Sequence, residues 1–134
     1  MPDLTITQDL TGGNPEFKPY PQTIFTAGIE VDCAVTNLTA TETVKAILQP
    51  AKTRLKSLYY ACRTAEGATG TIDVGSASDA DLYGNNLDMN DTTNLGNCTI
   101  TADVVTEDTW ITITPNNDLD LAKFYLEATF TRVY

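Results

Sequence analysis

Residues 53–83 read TRLKSLYYACRTAEGATGTIDVGSASDADLY. Two apolar runs, 55–62 and 71–75, flank the segment Thr64-Ala-Glu-Gly-Ala-Thr-Gly70. Both runs are rich in Tyr, Thr, Val and Leu and are too short for a typical helix, so they read as antiparallel strands. Gly67 and Gly70 are placed to supply the positive-φ positions that a chain reversal needs. A polar loop follows from Ser76 and returns to apolar residues at Leu82 and Tyr83.

Outward from this stretch the strand signal repeats. Ile29, Val31, Cys33 and Val35 alternate with Glu30, Asp32, Ala34 and Thr36, which predicts a strand with one buried face. Residues 44–48 form a shorter strand that ends near Pro50. Residues 82–95, with Gly84-Asn-Asn86 and Asn90-Asp-Thr-Thr-Asn94, read as loop or short helix. Ile100, Ala102 and Val104 alternate with polar residues, as do Ile111 and Ile113 after the turn at Glu107-Asp108. The clearest strand is the last: Ala122, Phe124, Leu126, Ala128 and Phe130 point one way, and Lys123, Tyr125, Glu127, Thr129 and Thr131 the other. A single domain of 134 residues with about eight short strands and polar turns predicts an all-β fold, an antiparallel β-sandwich of jelly-roll type. No run of about 18 apolar residues exists, so no membrane span is expected, and the start lacks the basic and apolar regions of a signal peptide.

Residues 1–28 differ from the rest. Leu4 and Ile6 alternate with threonines, and residues 11–22 then carry Gly12, Gly13, Pro15, Pro19 and Pro21. Proline blocks helix interiors and central ladder positions, so this segment reads as an extended arm ahead of a sandwich domain at 29–134. Phe17 and Tyr20 are its apolar anchors, suited to lie on a neighbouring subunit.

Charge narrows the function. Acids outnumber bases 18 to 8, for a net charge of −10, and residues 64–122 hold eleven acids and no Lys or Arg. Such a surface repels phosphate backbones and argues against direct nucleic-acid binding. Five of the eight bases, Lys45, Lys52, Arg54, Lys56 and Arg63, lie within residues 45–63. A strand puts Lys52, Arg54 and Lys56 on one face, a candidate surface for an acidic partner or for the acidic loops of another copy. Charge of this kind also protects a sheet edge. Cys33, Cys62 and Cys98 match no zinc or redox spacing. Their odd number and the absence of an export signal fit assembly in a reducing cytosol.

The order strand, Gly-rich turn, Ile72-Asp-Val-Gly-Ser-Ala-Ser-Asp-Ala-Asp-Leu-Tyr83 resembles small virion structural proteins of tailed bacteriophages, where a phrase like V-G-D-x-x-D-x-D-R-F follows a similar strand. A run similar to Leu48-Gln-Pro-Ala-Lys-Thr-Arg-Leu55 precedes it, and the resemblance covers roughly residues 43–134. It departs at Ser76 and Leu82, where the pattern has an acid and a base. The resemblance implies a capsid decoration, or cement, protein that binds the major capsid protein across capsomer junctions, as a homotrimer. The acidic balance places it on the capsid exterior of the virion, after assembly in the host cytoplasm. A tail or head-fibre component belongs to the same class.

Catalysis has little to stand on, and no enzyme is expected. There is no His, no Gly-x-Ser-x-Gly elbow and no P-loop. Asp73, Asp79 and Asp81, with Asp88 nearby, offer oxygen ligands for a calcium ion, without EF-hand spacing. The alternative from another class is a carbohydrate-binding β-sandwich in which Trp110, Tyr59 or Tyr83 stacks on sugars.

Overall fold

The computed structural model describes residues 24–101 and 104–133. These residues form eight strands: β1 (Ile24–Asp32), β2 (Val44–Gln49), β3 (Thr53–Thr64), β4 (Thr71–Ser76), β5 (Gly84–Asp88), β6 (Leu95–Asn97), β7 (Thr109–Pro115) and β8 (Lys123–Arg132). They build two four-stranded sheets, in the orders β1-β8-β3-β6 and β2-β7-β4-β5, with every neighbouring pair antiparallel. This is the strand order of an eight-stranded jelly roll, the architecture expected from the alternation.

The last strand behaves as its pattern requires. Ala122, Phe124, Leu126, Ala128 and Phe130 are fully buried, while Lys123, Tyr125, Glu127 and Thr129 stand half-exposed on the other face. β8 lies between β1 and β3 and pairs with both along its length. Its apolar row meets Ile72, Val74, Ile111 and Ile113 of the second sheet in a single core. Cys33, Cys62 and Cys98 sit in that core as free thiols, and burial pushes the pKa of Cys33 and of Cys98 up to about 11.

Residues 53–83 need a correction. The two runs are strands, but β3 and β4 belong to different sheets and do not pair. The segment between them crosses from one sheet to the other. The hairpin is instead β4–β5, which pair with each other, so the stretch read as loop or short helix contains a strand. Gly67 has the positive φ of 89°, whereas Gly70 does not. A Cβ on Gly70 would press against Leu119, so glycine is needed there for close approach.

Two further readings are revised. β1 ends at Asp32, whose Oδ1 accepts from Ala34 N at 3.1 Å and whose carbonyl accepts from Val35 N and Thr36 N. The turn throws Val35 outward, 80% exposed, although alternation would bury it. Ile100 and Val104 belong to no strand; the ladder there is β6, after which Thr99 N turns away to donate to Tyr83 O at 3.1 Å.

Glu66 lies within the sheet crossing and is 6% exposed. Its Oε1 accepts from the backbone N–H of Leu121 at 3.1 Å and of Ala122 at 2.9 Å, and both carboxylate oxygens accept from Asp120 N. The carboxylate thus ties the β3–β4 crossing to the β7–β8 connection. Burial opposes its charge, but the three backbone donors and the Asp120 side chain outweigh that and hold it below its ordinary value of 4.5. The same contact holds the Asp120 carboxyl above its ordinary range, because Glu66 hydrogen-bonds to it and carries like charge.

Phe124→Ala should destabilise the fold by about 3–5 kcal/mol in a denaturant titration, the cost of an aromatic-sized cavity. A change within about 0.5 kcal/mol would contradict the core assignment of β8. The lowered Glu66 pKa gives stability that is present above pH 4.5 and lost as pH falls through the folded value. Glu66→Gln should therefore cost about 1–3 kcal/mol at pH 7, and the gap to wild type should narrow toward pH 3. An equal gap at both pH values would mean that the charge does not act.

Candidate docking surface

Because successive strands alternate between sheets except at β4–β5, the connections gather at two ends. One end holds residues 33–43, 65–70, 89–94 and 116–122, joined by Cys33 N to Ala122 O, by reciprocal bonds between Leu38 and Leu119, and by Glu66 N to Met89 O. The other holds residues 50–52, 77–83 and the β6–β7 connection.

The candidate bases lie toward the second end. Lys52 sits in the β2–β3 turn with a φ of 63°, its N–H donating to Val105 O at 2.8 Å and its carbonyl accepting from Val133 N at 2.8 Å. Arg54 and Lys56 are exposed on β3 and alternate, with exposed Lys52 ahead of them, with buried Thr53 and Leu55; the register slips only between Leu55 and Ser57. β6 covers β3 only at residues 59–61, which leaves the basic half of β3 outside that pairing. Arg132 lies opposite Thr53 and joins the group. A cleft of about 540 Å³ opens there, lined by Lys52, Val104, Arg132 and Val133. Apolar walls under cationic side chains suit a segment that is both acidic and apolar. Arg132 was not singled out from sequence, because only pairing across strands brings residue 132 beside residue 53. Phe17 and Tyr20 lie outside the described residues.

The acids divide. Asp79 and Asp81 come together in the exposed β4–β5 loop, where Asp79, by hydrogen bond and by like charge, holds the Asp81 carboxyl above its ordinary range. Asp73 is otherwise engaged: its Oδ1 accepts from Asn86 N at 2.9 Å and from Asn116 Nδ2 at 3.0 Å. Asp88 accepts from Asn90 N in a local turn. Among the described residues no group of three or more acidic, Cys or His side chains is arranged to hold a metal ion. Of the eleven acids between residues 64 and 122, Glu66 is buried and Asp73 half-buried, and the other described ones are exposed.

The aromatic residues weighed as sugar platforms are dispersed. Tyr83 is buried in the core. Tyr59 is half-buried on β3, and Trp110 is half-buried on β7 beneath Lys45, whose Nζ lies 5.7 Å from the ring centroid. Among the described residues no helix is long and apolar enough to cross a membrane.

No protein-family model and no curated protein matches the chain. Solved structures do. A chain of the cyanophage Pam1 capsid asymmetric unit superposes with a TM-score of 0.64 at 12% identity, covering 84% of this chain and 85% of that one. A chain of the acidic stable capsid of Helicobacter pylori bacteriophage KHP30 gives 0.62 at 11% identity, covering 82% and 89%. A chain of the Ralstonia phage GP4 capsid gives 0.57 at 11% identity, covering 87% and 90%. At such identities the likeness speaks for the fold: this chain has the all-β sandwich found in chains of three phage capsid structures.

Proposed function

We propose that the chain is a structural protein of a phage particle, bound to the outside of the shell as a decoration or cement subunit, without enzymatic activity. The observation that carries this reading is the jelly roll shared, over more than four fifths of the chain, with chains of three phage capsids. The sequence resemblance points to the same class. The charge supports an outer position. Exposed acids without an intervening base from residue 64 to 122 would be driven from packaged DNA at close range.

The mechanism is attachment by surface complementarity. The subunit bridges copies of the major capsid protein at capsomer junctions, as a homotrimer, and adds buried contacts that oppose expansion of a filled shell. The base-rimmed cleft beside Lys52 and Arg132 is the surface for an acidic segment of that partner. A rim of this kind acts through steering and register, so attachment weakens with salt.

On intact, DNA-filled particles, antibodies against the chain should bind, and gel band intensities should give a copy number on the scale of the shell subunits. Complete protection until the shell is broken would place the protein inside, and a few copies per particle would place it in the tail. Lys52→Glu with Lys56→Glu should leave the fold intact and weaken attachment by about 5–30-fold, the effect of roughly 1–2 kcal/mol. Unchanged attachment at low and at high salt would remove the basic surface from the interface.

A further inference from the structure

β1 is the edge of one sheet and β2 the edge of the other, and the two meet on the same side of the sandwich. The seam between them is incompletely closed. Phe25, Ala27, Ile29 and Val31 of β1 pack against the core yet remain half-buried, as do Val44 and Ala46 of β2. By contrast, the inward row of β8 is fully buried. Toward the C-terminal end of β1 the seam widens into a cleft of about 330 Å³. Ile29, Val31, Val35, Leu38 and Val44 supply its apolar lining, and exposed Glu30 its acidic part, beside Asp32, which faces Lys123 Nζ at 3.8 Å. Val35 is 80% exposed beside it. A continuous apolar row of this length on a soluble domain calls for a cover.

The described chain starts at Ile24, with residues 1–23 ahead of it. Within them, Phe17-Lys18-Pro19-Tyr20 places a cation between two aromatic groups, the chemical complement of an apolar cleft with acids around it. The segment is poorly suited to cover its own seam. No glycine occurs between Gly13 and Gly28, and Pro15, Pro19 and Pro21 favour extended backbone at and before each proline. Phe17 and Ile24 are seven positions apart with Pro19 and Pro21 between them, and the fixed φ of proline restricts the ways a segment this short can reverse onto its own β1.

We propose that the seam between β1 and β2 receives residues 17–20 of a second copy of this chain, with Phe17 in the cleft and Lys18 facing Glu30. Each copy then gives its arm to a neighbour and has its own seam covered. The arm, limited by its prolines, loses less entropy on ordering than a Gly/Ser linker would. Self-association on this basis is independent of any attachment to a shell.

The test uses two full-length variants, Phe17→Cys and Val35→Cys, in an otherwise unchanged chain whose three natural thiols are buried. Mixed and mildly oxidised, they should yield a cross-linked dimer of one chain of each kind, well above the level that wild-type protein gives. Absence of that product overturns the proposal. In the double variant the cross-link should run between chains. A link formed within single chains at every concentration would mean that the arm folds back on its own seam, and would also overturn it. In sedimentation, Phe17→Ala should weaken self-association by about tenfold, the effect of roughly 1.4 kcal/mol. An unchanged association constant counts against the proposal.

Discussion

A buried carboxylate ties together two connections on which the architecture depends. Glu66 sits where the chain leaves one sheet for the other, and it receives three consecutive backbone N–H groups from the segment that leads into β8. Those donors would otherwise be orphans at the end of the core, and an unpaired buried N–H costs more than a made bond returns. Once they are bonded, Ala122 stands at the entrance to β8, and the strand's apolar row starts in register with the core. Gly67 and Gly70 let the crossing pass close to Leu119 and Leu121, and the Leu38–Leu119 bridge closes the same end from the other side.

This topology decides where function can reside. The inner strands β8, β3, β7 and β4 each serve two ladders and one core, and the inward face of β8 is fully buried. What remains are the two ends, where connections collect, and the edge strands, β1 and β2 on one side and β6 and β5 on the other. Acidic groups dominate the connections, but many are occupied in local structure: Asp32 caps a turn, Asp91 accepts from Thr93, and Asp118 accepts from Ala40 N. The bases gather where β3 begins and β8 ends. The domain's likeness to chains of phage capsids, at 11–12% identity, is one of backbone shape rather than of shared side chains.

The sequence by itself determined the class of the fold and the face of its best strand. Period-two alternation from Ala122 to Phe130 is a local property, and any sheet with one buried face must bury that row. The same holds for Ile111 and Ile113, and for the burial of Cys33 and Cys62 among apolar neighbours. Net charge and the absence of His are compositional and bound the chemistry without a structure. Tertiary structure alone decided which strands pair. A glycine-containing turn looks the same whether it closes a hairpin or bridges two sheets, so β3 and β4 read as partners when each in fact pairs elsewhere. Glu66 counted as one more surface acid, because its three donors come from residues 120–122, more than fifty positions away. Arg132 and the seam between β1 and β2 were hidden for the same reason: both arise from register and strand order, which are set by contacts distant along the chain.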